Sequence, residues 1–404
     1  MTGYIYPNEI ELQWGLLIVL YPYITGLVAG AFILASLERV FNVREVQPTY
    51  RLALLTALAF LLVAPLPLLA HLGHPERSFE IFLTPNVRSA MAMFGFVYAW
   101  YLMVVLLLEI WFDYRHDLIK WSARETGFMR FVHRVMTLGA DDVSPRALRF
   151  DNAAGRIITI VGIPSAFLLH GYVGFIFGSV KANPWWSSVL IPVVFLFSAI
   201  VSGIAAVLLI YVTSCAVRHQ PVDEACMGKL ASFLFYALTV DFSLEMLDFI
   251  HRLYTAEESI KILSALVTSR LFISLVVMQV LLGTMIPLVT LALTSPAFER
   301  RAIVKIPAAL RRRIFVVAAL LVEVGIFSTR WNVVIGGQLF SKSLRGLTVY
   351  KLQMYGLEGL WVSVALMLLP LAILLVLIWI LPPWTDAVTA AHRESQTGAV
   401  ITPC

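Results

Sequence analysis

Phe235-Tyr-Ala-Leu-Thr-Val-Asp241-Phe-Ser-Leu-Glu245-Met-Leu-Asp248-Phe-Ile-His251-Arg252 is apolar enough to cross a bilayer, yet it holds three carboxylates. Asp241, Glu245 and Asp248 are spaced four and then three apart, which stacks them on one face of an α-helix. Phe242, Leu244, Met246, Leu247 and Phe249 cover the remainder. An ionised carboxylate at the bilayer centre costs about 2.5–3.5 kcal/mol even on the lenient insertion scale. Three on one stripe predict a buried polar site inside a helical membrane protein, not a lipid-facing surface.

Working outward, apolar windows long enough for a ~30 Å hydrocarbon core occur at about 14–36, 52–73, 89–112, 155–178, 187–214, 231–252, 267–294, 312–331 and 358–381. They predict an all-α integral membrane protein of nine spans, with ten as the alternative count. The composition agrees: 60% of the 404 residues are hydrophobic and 14% charged, and the mean hydropathy is +0.85, which excludes an ordinary soluble domain. The net charge of +5 is not a nucleic-acid footprint, because the basic residues lie between apolar runs. Twenty of the 30 lysines and arginines fall on the side that holds loops one, three, five, seven and the C-terminus. The positive-inside rule then sets the N-terminus in the periplasm and the C-terminus in the cytoplasm of a bacterial or archaeal membrane.

Residues 1–384 read as one polytopic domain and the polar stretch 385–404 as a flexible cytoplasmic tail. Residues 1–14 lack the basic start and small-residue cleavage site of a signal peptide, so the first span is expected to be retained. In the loop 113–154, Gly127-Phe-Met-Arg-Phe-Val-His-Arg-Val-Met136 mixes apolar and basic residues as an interfacial helix does; a short solvated helix reads equally well. Cys215, Cys226 and Cys404 have no metal-ligating spacing, so this chain is expected to bind no iron–sulfur cluster or metal. Ser198, Ser202 and Ala206 repeat every four residues, a spacing read as helix packing.

With a rise of 1.5 Å per residue, depth in the bilayer follows from position in each span. Asp241 and Glu323 come out near the middle and His170 just outward of it. Glu245 and Asp248 lie further out, Arg330 is two turns beyond Glu323 on the same face, and His71 and His251 are near the outer ends. The outer half thus gathers acids, an arginine and histidines, a set able to exchange the two protons that accompany a quinone's two-electron chemistry. Two other readings stay open. A pair among His71, His170 and His251 would suit one outer b-type haem. Intramembrane acids also mark a proton-coupled transporter, although that reading predicts inverted repeats and broken helices.

Leu169-His-Gly-Tyr-Val-Gly-Phe-Ile-Phe-Gly-Ser-Val-Lys-Ala-Asn-Pro-Trp-Trp186, followed by Pro192 and Ser198-Ala-Ile-Val-Ser-Gly203, resembles the NrfD/PsrC family of quinone-interacting membrane subunits. Tyr21-Pro-Tyr-Ile-Thr-Gly-Leu-Val-Ala-Gly-Ala-Phe32, Leu72-Gly-His-Pro-Glu-Arg77 and Arg330-Trp-Asn-Val-Val-Ile-Gly-Gly337 extend the likeness over most of the chain. The ninth span resembles the longer branch that contains HybB and DsrP, with DsrP favoured. The resemblance implies two four-helix bundles plus an extra C-terminal helix, no haem, and an exchangeable menaquinone or ubiquinone near the periplasmic face. It also implies a ferredoxin-like iron–sulfur partner on that side, within a larger respiratory complex, with sulfur metabolism as one setting for it. His170 and Tyr172 carry over as quinone ligands. The polysulfide reductase anchor has Asn and His on its first helix where this chain offers Glu11, Gln13, Tyr21 and Tyr23. The expected roles are proton relay for Asp241, Glu245, Asp248 and Glu323, and quinone contact for His170, Tyr172, Arg330, Tyr21, Tyr23 and His71.

Overall fold

The first span, Leu16–Arg39, is 94% buried inside the protein, because it serves as the shared wall of two helix groups. A computed structural model describes residues 5–6, 12–84, 86, 88–255, 259–295 and 306–384; Glu11 and the predicted tail 385–404 lie outside them. Among the described residues nine helices are long and apolar enough to cross a membrane. After the first come Arg44–His71, Met93–Arg124, Pro145–Gly178, Ile191–Val217, Glu224–Thr255, Phe272–Leu293, Ala308–Gln338 and Leu360–Ile380. No strand is formed among the described residues beyond one isolated bridge, Phe340 to Leu347. The chain is an all-α, multi-pass integral membrane protein.

Spans one to four pack on one another, as do spans five to eight, and the ninth lies against the second. The two groups meet where the first span crosses the fifth and touches the eighth. That crossing depends on Gly30 and Gly203: a Cβ on either would strike the backbone of the other helix. Gly283 and Gly325 bring the seventh and eighth spans together in the same way. In lipid there is no hydrophobic drive between helices, so such close backbone contact supplies the dispersion energy that holds them.

Ion pairs lock the first group at the end where spans one and three finish and spans two and four begin. Asp113 accepts from Arg39 at 3.0 Å and from Arg51 at 2.7 Å, Asp117 accepts from Arg51 at 2.8 Å, and Arg115 grips Asp151 with three bonds of 2.6–2.9 Å. Part of the positive excess at this end is therefore structural.

The opposite end is closed by the loop between spans four and five. Trp185 and Trp186 donate their indole N–H groups to the carbonyls of Asn332 (2.8 Å) and Val333 (2.6 Å), and Asn183 donates to that of Gly337 at 2.8 Å. Gly337 has no room for a Cβ because the Trp186 ring covers it. Two of the segments that carry the resemblance are thus physical partners.

Candidate functional site

The centre of the molecule holds a fully buried arginine. Arg330, on the eighth span, has no solvent exposure, which excludes the interfacial-anchor role that its neighbour Trp331 suggests. Its Nη2 donates to Ser198 Oγ at 2.6 Å and to His170 Nε2 at 3.2 Å, and its guanidinium lies 4.2 Å from the Phe195 ring centroid. His170 stacks on the same ring at 5.7 Å. Because Nε2 faces an N–H donor, it must be the acceptor, so the proton sits on Nδ1. That assignment fits the other side: Nδ1 lies 3.2 Å from Thr25 Oγ1, and Thr25 passes its own proton to the Tyr21 carbonyl at 3.0 Å. Both nitrogens of His170 are engaged within the protein.

Several buried polar atoms have no partner: Arg330 Nε and Nη1, with Asp241 Oδ1 and Glu323 Oε1 on the same side, and Tyr21 Oη and Tyr172 Oη in the first group. A buried polar group without a hydrogen bond costs about 1–3 kcal/mol, so a cluster of them marks a place for water or a ligand. Tyr21 and Tyr172 flank one ring, that of Phe94, at centroid distances of 5.4 and 6.0 Å. The two hydroxyls and the ring form an aromatic wall between spans one, three and four. Glu323 accepts from Tyr23 Oη at 2.7 Å, on the side of the first span that meets the eighth.

The three carboxylates of the sixth span do separate things. Asp241, 2% exposed, and Glu245 both act electrostatically on Arg330. Glu245 also accepts from Gln279 Nε2 at 3.0 Å and from Thr329 Oγ1 at 3.4 Å. Gln279 in turn accepts from Asn332 at 2.7 Å, and Asn332 accepts from Ser274 at 2.6 Å. Asp248 has both oxygens occupied: one takes the Ser188 hydroxyl and the other takes Arg252, whose Nε lies 2.6 Å away. It is a buried ion pair beneath Trp185. A narrow cavity of about 80 Å³ runs past Glu245, Gln279, Thr329 and Asn332.

The structure therefore brings Tyr23, His170, Asp241, Glu245, Glu323 and Arg330 to the seam between the two helix groups and sets Tyr21 and Tyr172 apart, around Phe94 within the first group. It leaves His71 at the outer end of the second span, paired with Glu358 at 2.9 Å, and His251 exposed. Reasoning from sequence misses Thr25, Phe195, Ser198, Thr329 and Asn332. Ser198 has a signal in its four-residue repeat, which reads as packing; the others are ordinary residues in apolar helices, and only their neighbours give them a role. Among the described residues no group of three or more histidines, cysteines, aspartates or glutamates gathers as metal ligands would.

Known proteins share this sequence pattern. A sequence profile of the family described as Polysulphide reductase, NrfD, matches residues 7–342. The chain is 33% identical over 250 residues to a selenate reductase subunit of Mesobacillus selenatarsenatis, covering 60% of this chain and 57% of that protein. It is 28% identical over 202 residues to protein NrfD of Escherichia coli, covering 49% and 59%. It is 23% identical over 357 residues to the Hdr-like menaquinol oxidoreductase integral membrane subunit of Archaeoglobus fulgidus, covering 87% and 78%. The first two matches span less than two thirds of those relatives' length.

Proposed function

Because the chain belongs to the NrfD family, we propose that it is the quinone-reactive membrane subunit of a respiratory oxidoreductase, exchanging electrons with an iron–sulfur partner on the periplasmic side. The observation that carries this reading is the pair of unpartnered hydroxyls, Tyr21 and Tyr172, flanking one aromatic ring on the two spans that also hold Thr25 and His170 of the buried polar network. A quinone supplies two carbonyl oxygens that accept hydrogen bonds and become hydroxyls on two-electron reduction.

The residues present fit that chemistry. Tyr21 and Tyr172 offer O–H groups that donate to an oxygen or accept from a hydroxyl. The guanidinium of Arg330 places a fixed positive charge in a water-poor interior, where it favours negative charge at a nearby oxygen. His170 does not serve as a free ligand in this arrangement. It positions Arg330, while Ser198 and Phe195 fix the other sides of the guanidinium. Asp241, Glu245 and Glu323 hold and exchange protons, Tyr23 bonding to Glu323 and Gln279 to Glu245. Asp248 holds the outer loop and has no place in the exchange.

On the ninth span we assign the chain to the longer HybB/DsrP-like branch, with DsrP and sulfur metabolism favoured, while the long alignment with the Archaeoglobus subunit, whose name specifies menaquinol, bears on the quinone. Menaquinol is the preferred donor on the same ground, with ubiquinol as the alternative. The reading is tested on the purified complex by steady-state oxidation of menaquinol and ubiquinol analogues. Tyr21→Phe and Tyr172→Phe are expected to weaken quinol use up to about tenfold each, the value of one hydrogen bond. Arg330→Gln is expected to lower turnover by about 10²-fold or more, as removal of an oxyanion-stabilising donor does. Wild-type kinetics in all three would overturn the assignment.

A further inference from the structure

The surface helix Gly127–Met136 is ten residues long, about 15 Å at 1.5 Å per residue, too short to cross the membrane. It is pinned at the level where spans end. Trp111 Nε1, in the third span, donates to the Met136 carbonyl at 3.0 Å. His133 lies between Glu125 Oε2 at 2.6 Å and the carbonyl of Ile380 at 2.9 Å, and Ile380 is the last residue of the ninth span. With its buried side spent on these contacts, the helix leaves Phe128, Phe131 and Val135 from 56% to 70% exposed. Their spacing of three and four makes one apolar face, and Leu138, 76% exposed, follows in the left-handed turn just after the helix. Arg130 and Arg134, also exposed, border this face.

Beside the C-terminal end of this helix lies a groove of about 430 Å³ between the third and fourth spans, walled by Trp111, Phe112 and Phe150 and bearing Arg146. Of the other charged groups in its wall, Arg115 is matched to Asp151; Asp142 accepts the Ser144 backbone N–H at 2.8 Å and keeps its negative charge, so the positive excess comes from Arg130 and Arg134 on the helix. Three exposed arginines thus stand beside an aromatic groove and an apolar helix face, all at the height of the membrane surface. A soluble anion would use the charges and leave the apolar walls wet. A zwitterionic lipid would use the walls and gain little from the charges. Only an amphiphile with an anionic head satisfies both.

We propose that the helix Gly127–Met136 and the adjoining groove bind an anionic phospholipid, its phosphate against Arg130, Arg134 and Arg146 and its acyl chains along Phe128, Phe131, Leu138 and Phe150. This site is independent of the quinone reading. The test uses the full chain in nanodiscs of phosphatidylcholine doped with phosphatidylglycerol that carries a photoactivatable acyl chain. Cross-links on the unmodified protein are expected to concentrate in peptides within 111–150, and native mass spectrometry should show phosphatidylglycerol retained in preference to phosphatidylcholine. Each arginine near a membrane surface is worth about a fivefold preference, so the R130Q/R134Q/R146Q variant should lower that retention by at least about tenfold. Cross-links distributed around the whole lipid belt, equal retention of the two lipids, or an unchanged preference in the triple variant would overturn the proposal. So would a polypeptide partner cross-linked to this face in the native complex. The cross-linking map needs no substitution and stands even if the triple variant does not fold.

Discussion

Glu245 and Asp248 are one helical turn apart and both carry a carboxyl group, but their neighbours give them opposite tasks. Asp248 has both oxygens filled by Ser188 and Arg252, so its charge is matched and its lone pairs are spent. Removing one partner of a buried ion pair typically costs about 3–5 kcal/mol, because the other charge is left behind. Asp248→Asn is therefore expected to lower the denaturation midpoint in detergent markedly while turnover per folded molecule stays near wild type. Glu245→Gln keeps shape and most hydrogen bonding but cannot hold a proton to pass on, so it should fold normally and lose quinol-linked turnover. A loss of turnover in correctly folded Asp248→Asn would return that residue to the relay. The spacing of the stripe in the sequence showed that the site is polar; the step of four from Asp248 to Arg252 is a local signal for the matched acid, whereas the Ser188 bond, 60 positions away, leaves none.

At the scale of helices, the seam between the first and fifth spans decides where His170 and Arg330 meet. Thr25 and Gly26 on the first span contact His170, Ser198 and Phe195 on the fifth hold Arg330, and the Gly30–Gly203 crossing sets the distance between them. Adding one methyl at Gly203 has no empty space to use, since the nearest atoms are the Gly30 and Ala31 backbone. Overpacking of this kind costs about 1–3 kcal/mol. Gly203→Ala is expected to lower stability by that amount and to slow quinol turnover, whereas Gly228→Ala, whose Cβ meets nothing, should leave both unchanged. Equal behaviour of the two variants would show that the crossing does not set the site. The spans themselves were legible, since 20-residue hydropathy is a local property, and the nine windows agree with the nine helices. The seam was not: Ser198 and Gly203 sit in an apolar helix whose partner is fixed by non-local packing. The π-helical turns at Tyr101–Leu106 and Phe272–Met285 likewise leave no pattern that distinguishes them from regular helix.

For the whole molecule, the geometry relates the two ends without saying which side of the membrane each faces. The loop carrying Lys181 and the segment carrying Lys351 lie at the same end as the Asn183–Gly337 bond, while Arg149 and Arg218 lie at the opposite end. What orients them is charge: in the sequence, twenty of the 30 basic residues fall in the odd-numbered loops, which include Arg149 and Arg218, and the C-terminal segment. Some of those arginines are bound to Asp113, Asp117 and Asp151 in the folded state, but orientation is set during insertion, when lysine and arginine count and acidic residues contribute little. The bias therefore predicts that Lys181 and Lys351 face the periplasm. Single cysteines placed at Lys181 and Lys351, with Cys215, Cys226 and Cys404 replaced by serine, should react with a membrane-impermeant maleimide in intact cells. A cysteine placed at Arg149 or Arg218 should react only after the membrane is opened. The reverse pattern would turn the molecule over, put the Glu245–Asn332 cavity and the outer loop on the cytoplasmic side, and require the iron–sulfur partner to dock there.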